Sequence, residues 1–216
     1  MPYILGCVSQ KGGVGKSTIA RGVAVALTKQ GYKVRLADLD TAQGTSVEWY
    51  RRRLNGGGEP LESVEYYKTA REALEKSRDV EVLVVDAQGR SSESTLALAH
   101  AAHVIVQPAS GSLDDLDPAI RLYNELRKNQ ISPKKLLMAL LQTHNENEET
   151  LAKDYIDQAG FPCLRNTLPS RLGYKVAQNS GLSIVDTTYP ALNERAGSFL
   201  DELFLYIKNL YVKDMP

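Results

Sequence analysis

Strand-like apolar runs alternate with amphipathic stretches along this chain of 216 residues. The strand-like runs are found at 3–8, 33–38, 81–86, 103–107 and 136–141, with a weaker one at 63–67. Apolar residues recur at helical spacing near 17–30, 44–54, 69–77, 92–101, 114–128, 147–159 and 192–211. The runs predict strands covered on both faces, and the spaced residues predict helices that bury one face.

The order of these predicted elements is typical of an α/β protein. Because strands and helices alternate, we predict a doubly wound, mostly parallel sheet with helices on both faces. Ligands of such sheets bind at the carboxyl ends of the strands. The glycine-rich stretch 55–60 is short enough to be a loop, so we expect a single domain over residues 1–216.

A glycine-rich segment follows the first predicted strand. Residues 10–18 read Gln-Lys-Gly-Gly-Val-Gly-Lys-Ser-Thr, which is a phosphate-binding loop placed between a strand and a helix. Backbone N–H groups in such a turn close around phosphate oxygens. Lys16 can then reach the β- and γ-phosphates, and Ser17 can offer its hydroxyl to Mg²⁺.

The loop departs from the commonest phosphate-loop pattern. Its first glycine position is Gln10, and it fits instead the variant K-G-G-x-G-K-[ST], which has a second lysine, Lys11. Gly31 stands where the following helix needs a left-handed residue at its end. We therefore predict nucleotide binding by Lys11, Gly12, Gly13, Val14, Gly15, Lys16, Ser17 and Thr18.

Three aspartates lie at the ends of predicted strands. Asp38 and Asp40 close the run 33–38, and Asp86 closes the run 81–86. A carboxylate in this position beside a phosphate loop organises Mg²⁺, usually through water, and Asp40 is the candidate to orient the attacking water. A turn or helix-cap role for Asp38 or Asp86 stays open. Residues 110–114 are expected either to border the nucleotide or to cap the next helix.

Composition restricts the partners and the location. Lys plus Arg and Asp plus Glu each number 26, so no global charge attracts nucleic acid. Cys7 and Cys163 are expected to be reduced thiols in the cytoplasm. The chain has no apolar run of ~18 residues and no signal sequence at its N-terminus, so we expect no stable membrane insertion.

Taken together, the loop and the three aspartates resemble the deviant-Walker ATPases of the ParA/MinD group, a class of P-loop NTPases. The resemblance continues at 107–108, 113–114, 168–174 and 181–185. The short chain, with Trp49 soon after the Asp-x-Asp segment, is most similar to the small ParF-like plasmid-partition ATPases and their VirC-type relatives. Two departures fall in nucleotide-responsive loops: Thr41-Ala42-Gln43 replaces the usual Pro-Gln, and Ala87-Gln88 follows Asp86. These departures bear on the hydrolysis rate and its coupling to nucleotide.

The resemblance implies an ATPase that uses ATP and Mg²⁺ and cycles between a monomer and an ATP-bound homodimer. It implies catalytic roles for Lys11, Lys16 and Asp40, with Lys11 crossing to the other subunit's phosphates, and metal roles for Ser17, Asp38 and Asp86. It also implies nonspecific DNA binding by the dimer, association with the nucleoid, and segregation or partition of a plasmid or chromosome. Hydrolysis is then slow until an adaptor, a centromere-binding protein, stimulates it.

The surface that would contact DNA is less defined by the sequence. Arg51, Arg52 and Arg53 are consecutive, so on a helix they point in three directions and form no stripe. Scattered cations that could gather on one face of a dimer are Lys134, Lys135, Arg165, Arg171 and Lys175. Of these, Arg165, Arg171 and Lys175 are the candidate DNA contacts.

Other functions stay open at this point. A positioning ATPase could carry a non-DNA cargo, such as a conjugation apparatus or a chemoreceptor cluster, and a small-molecule kinase would leave Lys11 without a role. A MinD-like membrane-associated ATPase would need a basic amphipathic tail. The last predicted helix carries Asp201 and Glu202 beside its apolar stripe, which favours packing on the core.

Overall fold

A seven-stranded parallel sheet forms the centre of the computed structural model, which describes residues 1–41, 44–89 and 92–212. Its strands are β1 (Tyr3–Cys7), β2 (Val34–Asp38), β3 (Ser63–Tyr66), β4 (Val82–Asp86), β5 (Val104–Ala109), β6 (Leu136–Thr143) and β7 (Leu168–Pro169). They lie in the order β3-β2-β4-β1-β5-β6-β7, and each neighbouring pair is parallel. The predicted doubly wound α/β fold is confirmed.

Helices cover both faces of this sheet. They are α1 (Lys16–Lys29), α2 (Thr45–Asn55), α3 (Ala70–Glu75), α4 (Ser92–Ala101), α5 (Leu113–Lys128), α6 (Glu146–Gln158), α7 (Leu172–Asn179) and α8 (Pro190–Val212). All seven predicted helices are present in their predicted positions. Strand β7 and helix α7 were absent from the prediction, and they lie between α6 and α8.

Alternation along the inner strands divides the core into two layers. Successive side chains of β1 point to opposite faces of the sheet. Leu5 and Cys7 are buried with residues of α1, α2, α7 and α8. Ile4 lies in the other buried layer, among residues of α3, α4, α5 and α6. This arrangement places the loop that follows β1 at the carboxyl edge of the sheet, between its two central neighbours β4 and β5.

The end of helix α1 and the packing of helix α8 both agree with the sequence pattern. Helix α1 is followed by Gly31 at φ 91°, the left-handed conformation expected there. In α8, Phe199, Leu200 and Leu203 are fully buried in the layer that contains α1. The terminal helix therefore packs on the core, and none of the helices within the described residues is long and apolar enough to cross a membrane.

A buried ion pair holds α2 against the segment that follows α7. The Arg53 guanidinium is 2% exposed and lies 2.7 Å from Asp186 Oδ2, and it also donates to the carbonyl oxygen of Gly181. Gly181 has φ 79°, and a Cβ there would overlap the backbone of Arg53. Trp49 on the same helix is fully buried and donates its indole N–H to the carbonyl oxygen of Leu182.

Candidate functional site

The glycine-rich loop between β1 and α1 has the backbone conformation of an anion-binding turn. Gly13 and Gly15 have φ values of 79° and 108°, and Gly15 is the N-cap residue of helix α1. A side chain at Gly15 would meet Leu141 of β6, whose Cδ2 would lie 2.5 Å from the added Cβ. Unpaired N–H groups at a helix N-terminus attract negative charge, so this end of α1 can hold phosphate.

A cavity of about 1060 Å³ opens above this loop. Seven of the eight predicted nucleotide-binding residues line it: Lys11, Gly12, Gly13, Gly15, Lys16, Ser17 and Thr18. The eighth, Val14, is buried. Asp40 and Asp86 line the same cavity, and its other polar residues include Arg21, Thr45 and Gln178. Much of the lining comes from loops after β1, β2 and β4, which all end at one edge of the sheet.

Asp86 lies on the floor of the cavity and is held by hydroxyl groups. The Ser46 hydroxyl donates to Asp86 Oδ2 at 2.7 Å, and the Ser17 hydroxyl also bonds this carboxyl. Burial raises the pKa of Asp86, and these two hydroxyls, with the charges of Arg21 and Lys16, oppose the rise. The carboxyl end of β4 therefore places an acidic oxygen next to the serine of the loop.

Asp38 is paired in register with Asp86 but has different contacts. Its Oδ2 accepts the backbone N–H of Ser46 at 2.8 Å, and its Oδ1 accepts that of Asp40 at 3.0 Å. Burial and the nearby Asp86 raise the pKa of Asp38 to about 6, against these backbone donors. Asp38 thus organises the turn into α2 and is not among the residues lining the cavity; its metal role stays a prediction.

Asp40 sits on the cavity wall, half-buried. Its carbonyl oxygen accepts the N–H of Gly44 at 2.7 Å, which closes the short loop after β2. The substitution of Pro-Gln by Thr41-Ala42-Gln43 falls in this loop, and Ala42 and Gln43 lie outside the described residues. After the Asp86 strand end, Ala87 is buried, and Gln88 is exposed on the cavity rim.

The donors around the loop suit Mg²⁺. Ser17, Asp86, Asp40 and Thr45 offer hard oxygen atoms to the same cavity, and the Ser17 and Thr45 hydroxyls are 3.4 Å apart. Among the residues that the structure describes, no three His, Cys, Asp or Glu side chains form a metal-binding cluster. Mg²⁺ commonly takes only one or two protein ligands and fills its octahedron with phosphate oxygens and water. Of the three predicted metal residues, Ser17 and Asp86 line the cavity and Asp38 does not.

One buried residue of the site, Arg21, was not predicted from the sequence. Arg21 donates its Nε–H to the Ser46 hydroxyl at 3.1 Å and an Nη1–H to Gln178 Oε1 at 3.0 Å. Gln178 in turn donates to Thr18 Oγ1 at 2.9 Å. Burial lowers the pKa of Arg21 to about 10, so it stays charged at neutral pH, helped by Asp86 and Asp38. Arg21 occupies an ordinary helix position, and no sequence signal marks it.

Lys11 and Lys16 are oriented differently. Lys16 Nζ lies 3.4 Å from the carbonyl oxygen of Lys11, across the loop. The Lys11 side chain is 45% exposed and forms an ion pair with Asp115 at the start of α5, which raises the pKa of Lys11. Lys11 Nζ also approaches the carbonyl oxygen of Asp114, so the segment 110–114 contacts the loop through Lys11. Ser112 in this segment is the N-cap residue of α5.

The three candidate DNA contacts fall in two places. Arg171 and Lys175 are exposed, one helical turn apart at the start of α7, and both border a small cavity of about 60 Å³ beside the loop. Arg165 is exposed in the segment before β7, where its backbone N–H donates to Glu202 of α8. Of the three consecutive arginines, Arg53 is buried in its ion pair and Arg51 is paired with Glu48.

A strand, a glycine-rich loop that begins a helix, and acidic strand ends around one cavity define a nucleotide-binding protein of the P-loop class. The sequence pattern of one family, the CobQ/CobB/MinD/ParA nucleotide-binding domain, matches residues 5–184. The chain belongs to this family. The resemblance to the ParA/MinD group is thereby confirmed.

Solved structures with the same fold include cell-division and partition proteins. The cell division ATPase MinD of Pyrococcus furiosus aligns with a TM-score of 0.71 and 16% identity over 94% of this chain and 100% of that chain. MinD of Pyrococcus horikoshii, complexed with Mg-ADP, aligns with a TM-score of 0.69 and 14% identity over 99% of this chain and 96% of that chain. A putative plasmid partition protein of Borrelia burgdorferi, bound to AMPPNP, aligns with a TM-score of 0.68 and 18% identity over 100% of both chains.

A curated relative matches only locally. The iron-sulfur cluster carrier protein of Aquifex aeolicus is 58% identical over 45 residues, which is 21% of this chain and 12% of that protein. The match spans about an eighth of that relative's length, so it carries no statement about the whole protein's activity.

Proposed function

We propose that this protein is a ParA-type ATPase that binds Mg-ATP at the loop of residues 11–18, forms an ATP-dependent homodimer and segregates DNA. The observation that carries the proposal is the contrast between the two loop lysines. Lys16 lies across the loop, whereas Lys11 is on its rim, 45% exposed and paired with Asp115 of its own chain. In this proposal Lys16 binds the nucleotide of its own chain, and Lys11 exchanges Asp115 for the phosphates of a second copy.

We assign the roles in hydrolysis from the lining of the cavity. The loop N–H groups and Lys16 would bind the phosphates, Ser17 and Asp86 would hold Mg²⁺, and Asp40 would orient water from the cavity wall. When bound, Mg²⁺ neutralises charge on the phosphate oxygens. Loss of the γ-phosphate removes the group that a crossing Lys11 contacts, so the dimer weakens after hydrolysis. The nucleotide then acts as a timed switch, which suits slow turnover stimulated by an adaptor protein.

Support for a DNA cargo comes from the family and from the partition protein among the structural relatives. The formal net charge of zero gives no such support. Arg171 and Lys175 offer a local basic site, and two copies in a dimer would double the phosphate contacts.

The experiment is retention on random-sequence duplex DNA with Mg-ATP, with Mg-ADP and without nucleotide, across a salt series. We expect retention with Mg-ATP alone, falling steeply with salt because bound counterions are released from DNA. The Lys16→Ala variant should show none under any condition. Absence of retention by a protein that still dimerises with ATP would remove the DNA cargo and favour a protein cargo.

A further inference from the structure

Strand β6 ends in an irregularity beside the phosphate loop. Its pairing with β7 shifts register between Leu141 and Thr143, and Gln142 between them has φ 59°. Gln130, which follows α5, is the only other non-glycine among the described residues with positive φ. This conformation is unfavourable for a residue with a Cβ, so it persists only where other contacts compensate. Bulges of this kind re-aim a side chain, often next to a functional site.

The re-aimed side chain contacts the loop. Gln142 Nε2 donates a hydrogen bond of 2.7 Å to the carbonyl oxygen of Gly13. The preceding residue, Leu141, packs against Gly15 so closely that a Cβ there would overlap its Cδ2. Two consecutive residues of β6 therefore contact both of the loop glycines that have positive φ.

The hydrogen bond fixes the direction of one peptide group. In a trans peptide the carbonyl and the following N–H point in opposite directions. Gln142 borders the small cavity and is not among the residues lining the large one, whereas Gly13 lines the large one. Holding the Gly13 carbonyl toward Gln142 therefore turns the N–H of Val14 away from Gln142. A bound phosphate would meet this N–H already oriented.

We infer that Gln142 is a positioning residue for phosphate binding, acting through the Gly13–Val14 peptide. The inference rests on the proposed nucleotide binding at residues 11–18. The interaction is made by a side chain 129 positions away from the loop, across the gap between β6 and α1. It is not part of the loop motif, and it preorganises the loop before the nucleotide arrives.

Two substitutions separate the hydrogen bond from the backbone conformation. Gln142→Met keeps the length of the side chain and removes the donor, and Gln142→Gly removes the donor and the unfavourable φ together. Gln130→Gly is the matched control, since it relieves the same conformation at a residue outside the cavity linings. Lys16→Ala reports on nucleotide binding by the loop itself.

The measurements are the Kd of Mg-ADP by calorimetry and the thermal unfolding midpoint without nucleotide. We expect both Gln142 variants to bind Mg-ADP about three- to tenfold more weakly, the value of one hydrogen bond. The thermal unfolding midpoint of Gln142→Gly should be unchanged or higher, because the unfavourable φ is relieved. Gln130→Gly should show the same effect on this midpoint and bind Mg-ADP with wild-type affinity.

Three results would overturn the inference. Wild-type affinity in both Gln142 variants, with binding lost in Lys16→Ala, would remove the role of Gln142 and leave the proposed function intact. Weaker binding accompanied by a lower midpoint in both Gln142 variants would assign the residue to stability alone. Undiminished binding by Lys16→Ala would overturn the proposed function, and this inference with it.

Discussion

At the scale of single residues, the three strand-end aspartates differ in what their oxygens contact. Each carboxylate oxygen of Asp38 accepts a backbone N–H group of the turn that follows it. Asp86 is buried and bonded by serine hydroxyls. Asp40 is less buried than either and lines the cavity, so its carboxylate is the best placed to meet a water molecule. Burial and hydrogen bonding thus give three similar residues different surroundings.

We expect Asp40→Ala to keep ATP affinity within about threefold of the wild type and to slow hydrolysis by about 100-fold or more, the usual contribution of a group that orients or deprotonates water. Phosphate release in single-turnover conditions measures this. Glu48→Ala is the matched control, since Glu48 lines the same cavity and has no proposed catalytic role. Hydrolysis at the wild-type rate in Asp40→Ala would exclude Asp40 from the reaction.

The residues of the site differ in how far the sequence could reveal them. The loop of residues 11–18 is contiguous in the chain, so its local pattern alone led to the prediction of nucleotide binding there. Arg21 reaches Ser46 across 25 positions and Gln178 across 157, so its burial and partners depend on tertiary packing. Asp38 could be located at a strand end, yet only the structure reveals that its oxygens are occupied by backbone donors.

At the scale of elements, the sequence analysis missed two segments, and one of them contributes to the large cavity. Helix α7 has eight residues, and only Tyr174 and Ala177 are buried, which is too short a pattern to establish a helical period. Strand β7 has two residues and gives no alternation. Helix α3 is shorter still, with six residues, but Thr69 as its cap and Glu72 in its first turn mark its start in the sequence. Nevertheless α7 matters to the site, because it supplies Gln178 to the cavity wall.

Helix α2 follows the loop of Asp40 and is anchored by the Arg53–Asp186 ion pair. We expect Asp186→Asn to lower the free energy of unfolding by roughly 3 kcal/mol, because it leaves the buried guanidinium without its counter-charge. Urea unfolding at neutral pH measures this. The control is Asp79→Asn, which removes the ion pair between Arg35 and the exposed carboxylate of Asp79. We expect this variant to lose less free energy of unfolding, about 1 kcal/mol or less.

The same ion pair predicts a dependence on acid. Burial acts to raise the pKa of Asp186, but hydrogen bonds from Ser183 and Arg53 outweigh it, and the pKa lies below its ordinary value. The stabilisation is therefore fully present above about pH 3.9, the pKa of an unfolded aspartate, and is lost as the pH falls through the lower folded value. Asp186→Asn should lack this part of the acid dependence. Equal acid profiles for the two proteins would contradict the assignment.

At the scale of the whole molecule, one edge of the sheet collects the chemistry. Loops from three parallel strands and one end of α7 meet around a single large cavity, and Lys11 is exposed at its rim. A second copy placed against this edge would meet the nucleotide and the lysine together. The neutral net charge leaves such pairing free of strong long-range repulsion between copies.

We expect Lys11→Ala to bind ATP as a monomer with nearly wild-type affinity and to lose the ATP-dependent dimer, because its ammonium no longer reaches the second nucleotide. Sedimentation velocity with a non-hydrolysable ATP analogue measures the dimer. Lys33→Ala is the control, since Lys33 is an exposed lysine just before β2, at the opposite edge of the sheet. Undiminished dimerisation and turnover in Lys11→Ala would exclude the crossing lysine.

The single tryptophan of the chain gives this arrangement a built-in optical signal. Trp49 is shielded from water, lies 5.4 Å from the Arg21 guanidinium and 5.7 Å from that of Arg53, and stands one turn beyond the loop of Asp40. Nearby positive charge shifts indole emission. A rearrangement of α2 on nucleotide binding would therefore change the tryptophan emission of the unlabelled protein, which comes from one known position beside the loop of Asp40.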